Sequence, residues 1–387
     1  MENLAAHEEY REFINKCKDA FIERENEFEC LATALISEDP IVYVGPPGTG
    51  KTRMVTEFAK AIGRSFFVYL ITRYTTPDEL FGHFSLKALK ERDSYERQMT
   101  GKLPDCEVVF TDEVFKAPSP LLNALLTVLN EGEVDIGNGQ RVKTKTQLFV
   151  GASNEYPFDD ESLNALWDRW IFRCHVDDIR LMKADKSGFS NFNRLITDKT
   201  IGNISATLDF DHVLKLRSER EGVDLSEIMP TIEELMTFLN INKIHVSSRR
   251  WRKAIGVVKA RAVMAGRKIA KPADLRILSD VLWNRPEQRS EIASKLAELC
   301  AGKLLEAMRF HDAAKEIVDR VTPDIPEGEL MNLLLTVKRH LKSLIKTEMP
   351  NFKDETDPEI RELVDAVPVY LKNFEARLFD IVNGDFE

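Results

Sequence analysis

The sequence predicts an α/β fold built on a parallel sheet, with its chemistry gathered at the carboxyl ends of the strands. Three stretches carry that expectation. "VYVGPPGTGKT" (Val42 to Thr52) passes from an apolar strand through a glycine-rich turn into a helix. "CEVVFTDEVF" (106–115) is an apolar strand ending in two acids, and "TQLFVGASNEYP" (146–157) is a third strand closed by a turn of small residues. Short, wholly apolar strands are what a sheet covered on both faces requires.

The first stretch spells G-x-x-x-x-G-K-T with Gly45, Pro46, Pro47, Gly48, Thr49, Gly50, Lys51 and Thr52. Met54, Val55, Phe58, Ala59 and Ile62 then recur at helical spacing. Strand, glycine turn and helix is the context in which this pattern cradles phosphate. The glycines free the backbone to point successive N–H groups into one concavity, and the helix start adds partial positive charge. Lys51 is expected on the β- and γ-phosphates and the Thr52 hydroxyl on Mg²⁺. The chain is expected to bind a nucleoside triphosphate.

Hydrolysis needs a carboxylate for the metal and another for the attacking water. Asp112 and Glu113 supply both at the end of the Val108-Val109-Phe110 strand, the sheet edge where α/β folds bind ligands. Asp112 is expected to hold Mg²⁺ and Glu113 to polarise water. Asn154, after the third strand, offers a neutral amide to the γ-phosphate and the water. Between these strands, "SPLLNALLTVLNEG" (119–132) reads as a helix with Ser119 as N-cap and a buried stripe of Leu121, Leu122, Leu125, Leu126 and Leu129. Residues 133–147 alternate around Gly-Asn-Gly, a β-hairpin signal.

The chain's 387 residues allow two or three domains, and 43% hydrophobic with 30% charged residues is ordinary for a soluble protein. No run is apolar enough to span a membrane, and the start lacks a signal peptide's apolar stretch. Five scattered cysteines without C-x-x-C pairing read as reduced cytoplasmic thiols. A net charge of −10 argues against a nucleic-acid coat. The one basic concentration, residues 247–268, reads as a solvated helix face apart from one arginine taken up below.

These residues together resemble the AAA+ ATPases, within them the MoxR group, and within that the regulatory ATPase variant A (RavA) branch. The likeness rests on "GPPGTGKTRMV", the stretch from Ile71 to Glu131, "LFVGASNEYP", "LNALWDRW" and "VSSRRWRKAI", spread over residues 20–285 in the same order. The resemblance implies a five-stranded parallel AAA+ core (40–176) after lead-in helices (1–39), then a helical lid (177–287) and a helical C-terminal region (288–387). It implies ATP with Mg²⁺, a homo-oligomeric ring of six, and chaperone-like remodelling of a protein client beside a partner bearing a von Willebrand factor A (VWA) domain. It makes Asp112 and Glu113 the Walker B pair and Asn154 the sensor-1 residue. Arg169 becomes the arginine finger in a neighbour's site, with Arg173 as competitor. Arg249, rather than Arg250, becomes the sensor-2 residue facing the nucleotide. The adenine pocket falls near Ile22 and Glu23, and β-hairpin insertions fall at 81–104 and 133–147.

Past Pro286 the likeness fades into amphipathic helices punctuated by Pro323, Pro326 and Pro350. No strand run is seen there, so the small β-rich docking module of fuller relatives is not expected, and these helices are expected to pack on the lid or, as the alternative, to present a face to a partner protein. Two other classes fit the same motifs: a nucleic-acid-stimulated motor, and a nucleotide-controlled scaffold with little turnover.

Overall fold

The computed structural model describes residues 2–137, 139–179, 186–300, 302–319, 327–353 and 358–383. Asn138 of the Gly-Asn-Gly turn, Pro323 and Pro326 lie outside them. The chain divides into two units, residues 1–296 and 297–387.

The first unit is organised by a sheet of five parallel strands. They are β1 (Ile41–Val44), β2 (Phe66–Leu70), β3 (Val108–Asp112), β6 (Leu148–Ser153) and β7 (Phe172–His175), in the order β2-β3-β6-β1-β7. The antiparallel pair β4 (Glu133–Gly137) and β5 (Gln140–Lys143) stands apart as the expected hairpin. Every residue of β1 and β6 is buried, which fits their largely apolar composition. Because β6 lies between β1 and β3, the segments leaving these three strands emerge side by side at one edge.

Details differ from the expectations. The Ser119–Glu131 helix has Pro118, not Ser119, at its N-cap, without a side-chain cap bond. Its buried residues are Leu121, Leu122, Leu125 and Val128, while Leu126 and Leu129 are only half-buried. Residues 81–104 are not a hairpin. Ser85 caps a short helix, Leu86–Arg92, whose "LKALKER" sequence is helix-forming, and a single bridge joins Phe84 to Arg97. Arg97 ties this insertion to the hairpin, its Nε donating to the Asp135 carbonyl at 3.0 Å.

The lid region includes the helices Phe210–Arg220, Met229–Ile241 and Ser248–Met264. The basic stretch within it is only in part a solvated face. Arg250 is buried and donates to the carbonyls of Asp168, Trp170, Ile171 and Val281. Lys253, Arg261 and Arg267 pair with Asp39, Glu29 and Asp274. Arg250, Lys253 and Arg261 thus tie this helix to the body, while Arg249, Arg252 and Lys268 are exposed.

In the second unit, helices Gly302–Asp319, Glu327–Glu348 and Pro358–Asn383 pack on one another. They enclose an apolar core that includes Phe310, Leu334, Leu341, Phe352, Val367 and Phe374. The amphipathic faces of these helices meet one another in that core. Among the described residues, no helix is long and apolar enough to cross a membrane.

Candidate functional site

The phosphate loop is built as its residue types require. Gly48 and Gly50 both have φ of 86°, a conformation other residues avoid, and Gly50 caps the Lys51–Ala61 helix. Gly45 is glycine for another reason: a Cβ there would stand 2.0 Å from the carbonyl oxygen of Val176. Lys51 Nζ donates to the carbonyls of Gly45 (2.7 Å) and Pro46 (2.8 Å) and lies 3.3 Å from Asn154 Oδ1. Burial pulls the Lys51 pKa below the usual lysine value, against the opposing pull of Asp112 and Glu113.

The acidic pair meets the loop through Asn154. Its Nδ2 donates to Glu113 Oε1 at 2.6 Å while its Oδ1 faces Lys51, so one amide bridges cation and carboxylate. Glu113 is buried in a left-handed conformation (φ 54°) that turns it off the strand, and its N–H donates to Asp112 Oδ1 at 3.0 Å. Glu113 Oε2 is buried and accepts no hydrogen bond, although the Lys116 ammonium stands 3.3 Å away. Sequence reasoning missed Lys116, which one turn-forming stretch brings back toward the acid.

A second omission is Arg24. This buried guanidinium donates from Nε and Nη2 to the Thr49 carbonyl (3.3 and 3.2 Å), from Nη2 to Asp177 O (2.8 Å) and from Nη1 to Glu23 O (2.6 Å). It fastens the lead-in segment, with buried Ile22, to the phosphate loop. No spacing rule marks such a residue.

These residues fit a metal-bound triphosphate. Glycine-freed N–H groups, an ammonium held by loop carbonyls, and a buried carboxylate oxygen that accepts no hydrogen bond converge on one spot. Exposed Thr52 and half-buried Asp112 supply the hard oxygen donors that Mg²⁺ prefers.

The arginines are elsewhere. Arg169 and Arg249 meet at the opposite edge of the sheet, in a cleft of about 280 Å³ that Pro40, Leu148 and Ile171 also line, residues that precede or open β1, β6 and β7. β6 has six residues, so at about 3.3 Å per residue the cleft lies ~20 Å from Asn154. The expectation that Arg249 faces its own chain's nucleotide therefore fails. The reason is the docking of the lid helix, pinned at the amino ends of the strands by Lys253–Asp39 (2.8 Å) and buried Arg250. Arg173, the competitor to Arg169, is fully buried over the Trp167 ring and donates to the carbonyls of Trp167 and Trp283. It has no surface to offer another chain.

Fold and site together define a P-loop nucleotide-binding α/β protein with a helical lid. The family model described as "MoxR domain in the MoxR-vWA-beta-propeller ternary systems" matches residues 8–197, and "AAA lid domain" matches residues 227–296. The chain is 34% identical to the uncharacterized protein MJ0812 of Methanocaldococcus jannaschii, covering 82% of this chain and 83% of that one. It is 25% identical to Chaperone MoxR1 of Mycobacterium tuberculosis over 42% of this chain and 43% of that protein. A crystal structure described as a candidate ATPase from Cytophaga hutchinsonii aligns with a TM-score of 0.59 at 21% identity, covering 76% of this chain and 95% of that one, which bears on fold alone. The chain belongs to the MoxR family of AAA+ ATPases.

Proposed function

We propose that this protein hydrolyses ATP at sites shared between adjacent copies of a ring, six by resemblance, and uses the cycle to remodel a protein client with a VWA-domain partner. The observation that carries the reading is the separation just described. Glu113 and the pair Arg169 and Arg249 occupy opposite edges of one sheet, so a single copy holds two halves that cannot meet within it.

Lys51 and the loop N–H groups hold the phosphates. Thr52 and Asp112 would hold Mg²⁺, which neutralises phosphate charge when bound. Glu113 takes the proton of the attacking water, and Asn154 keeps that carboxylate beside Lys51. Arg169 and Arg249 stabilise the departing charge from the neighbouring copy, where a guanidinium is worth about 10³–10⁵ in rate. Both arginines thus serve in trans, which replaces the original role given to Arg249.

The VWA partner is supported by the description of the matching family model, and chaperone-like work by the name of the mycobacterial relative. Exposed Tyr74 and Leu86, near and within the first insertion, are the apolar groups we assign to client contact. The RavA branch, and the division into lead-in (1–39), core (40–176), lid (177–287) and tail (288–387), are part of the same proposal. A nucleic-acid motor is disfavoured by the net charge of −10 and because Lys253, Arg261 and Arg267 of the basic stretch pair with acids.

The test is complementation. Glu113→Gln and Arg169→Ala chains should each be inactive alone and recover phosphate release when mixed, because mixing pairs an intact loop with an intact arginine. Full turnover by either chain alone would refute the shared site.

A further inference from the structure

The two arginines at the far edge are held by one side chain. Asn130 Oδ1 accepts a hydrogen bond from Arg169 Nε at 3.0 Å and another from Arg249 Nη2. Asn130 lies in the last turn of the Ser119–Glu131 helix, where the carbonyl ends carry partial negative charge. Arg169 comes from the core, on the Asn164–Arg169 helix, and Arg249 from the lid. A single neutral oxygen therefore joins a core cation to a lid cation.

The carboxylates around this cleft are engaged elsewhere. Asp39 pairs with Lys253, Glu38 with Arg217 and Arg220, and Glu131 with Arg141. Asp168 lies 3.8 Å from Arg169 and 3.5 Å from Arg250, so its one charge is divided. The pair of guanidiniums is held close without being neutralised. Burial and the nearby Arg169 charge both work against the protonated form of Arg249, the mark of like charges kept together. An amide can do this where a carboxylate could not, since it accepts two charge-assisted bonds and leaves the net charge for an incoming anion.

We infer that Asn130 is a positioning residue that yokes Arg169 to Arg249, so that core and lid present one doubly charged group to the triphosphate of the adjacent copy. The inference rests on the shared-site reading above. It adds that lid movement and finger placement are mechanically one event, because the finger cannot shift without the lid arginine. Asn130 touches no phosphate of its own chain's loop, which is at the opposite edge.

Asn130→Asp and Asn130→Ala in the full chain test it. The aspartate would clamp both arginines in ion pairs and cancel half their charge, so it should lower kcat more than the alanine, by about tenfold to a hundredfold, a fraction of a finger's full effect. KM and the affinity for a fluorescent ATP analogue should stay within about twofold, since an interaction made only in the transition state lowers kcat alone. Mixing the Asn130→Asp chain with the Glu113→Gln chain, whose arginines are intact, should restore turnover. Adding Arg169→Ala to Asn130→Asp should cost no more than Arg169→Ala alone. Because Asn130 is exposed, thermal melting should be unchanged and the kinetics readable.

Parental kcat in both Asn130 variants, with Arg169→Ala and Arg249→Ala inactive, would overturn the yoke and leave the shared site standing. Full activity in Arg169→Ala and Arg249→Ala would overturn both. A kcat loss in the Asn130→Asp chain that mixing does not restore would also overturn the yoke, because the defect would then lie in its own loop.

Discussion

Arg24→Met removes the buried fork between the lead-in segment and the phosphate loop while keeping the bulk of its stem. Three carbonyls lose the donor the guanidinium gives them, that of the adjacent Glu23 and, on other segments, those of Thr49 and Asp177. A buried acceptor left unsatisfied costs about 1–3 kcal/mol, so the latter two give roughly 2–6 kcal/mol. Methionine needs no desolvation of a charge, which offsets part of that, and a net loss of about 2–3 kcal/mol is expected. Because Thr49 belongs to the loop itself, much of the loss should appear as loop disorder, paid when nucleotide binds. About 2 kcal/mol at that step is roughly thirtyfold in affinity. Urea unfolding and titration with a fluorescent ATP analogue divide the effect, and the two losses together should approach the estimate. Arg24→Lys, which keeps a charge but cannot fork, should fall between. If Arg24→Met unfolds at the parent's midpoint and binds nucleotide within twofold of it, the guanidinium does not order the loop.

Glu113→Gln should retain ATP binding, since the amide oxygen can still accept from Asn154, while phosphate release falls by at least about 10²-fold; parental release would remove Glu113 from the chemistry. Gly45→Ala places a methyl group 2.0 Å from the Val176 oxygen, where backbone must move, and should lower stability by about 1–3 kcal/mol or more in thermal melting. An unchanged melting temperature would mean that β1 and the segment after β7 separate more easily than their packing implies. Burial pushes the Glu27 carboxyl up from 4.5 to about 7. The folded chain therefore keeps a proton that the unfolded chain releases between those values, and stability should fall as pH rises through that window, by up to about 3 kcal/mol. Glu27→Gln should flatten this fall in urea midpoints measured from pH 5 to 8, and a steeper fall would contradict it.

How much of this was legible in the sequence follows from whether a residue's role is local. Gly45 to Thr52 and Asp112-Glu113 sit at strand ends, and a strand's apolar run with the turn after it is enough to place them on the correct sheet edge. The 133–147 hairpin was legible for the same reason. The position of Arg249 was not. The turn fixes which arginine points out of the helix, but where it points depends on the helix's docking. That docking is set by Lys253 reaching Asp39 and by Arg250 reaching carbonyls from Asp168 to Val281, contacts spanning more than two hundred positions in the first case. Arg24 and Asn130 leave no pattern at all, because each works through one side chain meeting a distant segment. The consequence is specific. The residues of the phosphate loop are written into contiguous stretches, whereas the arginines proposed to act on a neighbour's nucleotide are brought together only by the docking of the lid helix at the amino ends of the strands. A change that loosens the lid, such as Asp39→Asn, should therefore leave nucleotide binding nearly intact and lower turnover through the adjacent copy. If it weakened binding in the same chain instead, the lid would have to reach its own phosphate loop, and the separation of the two edges could not be the basis of the shared site.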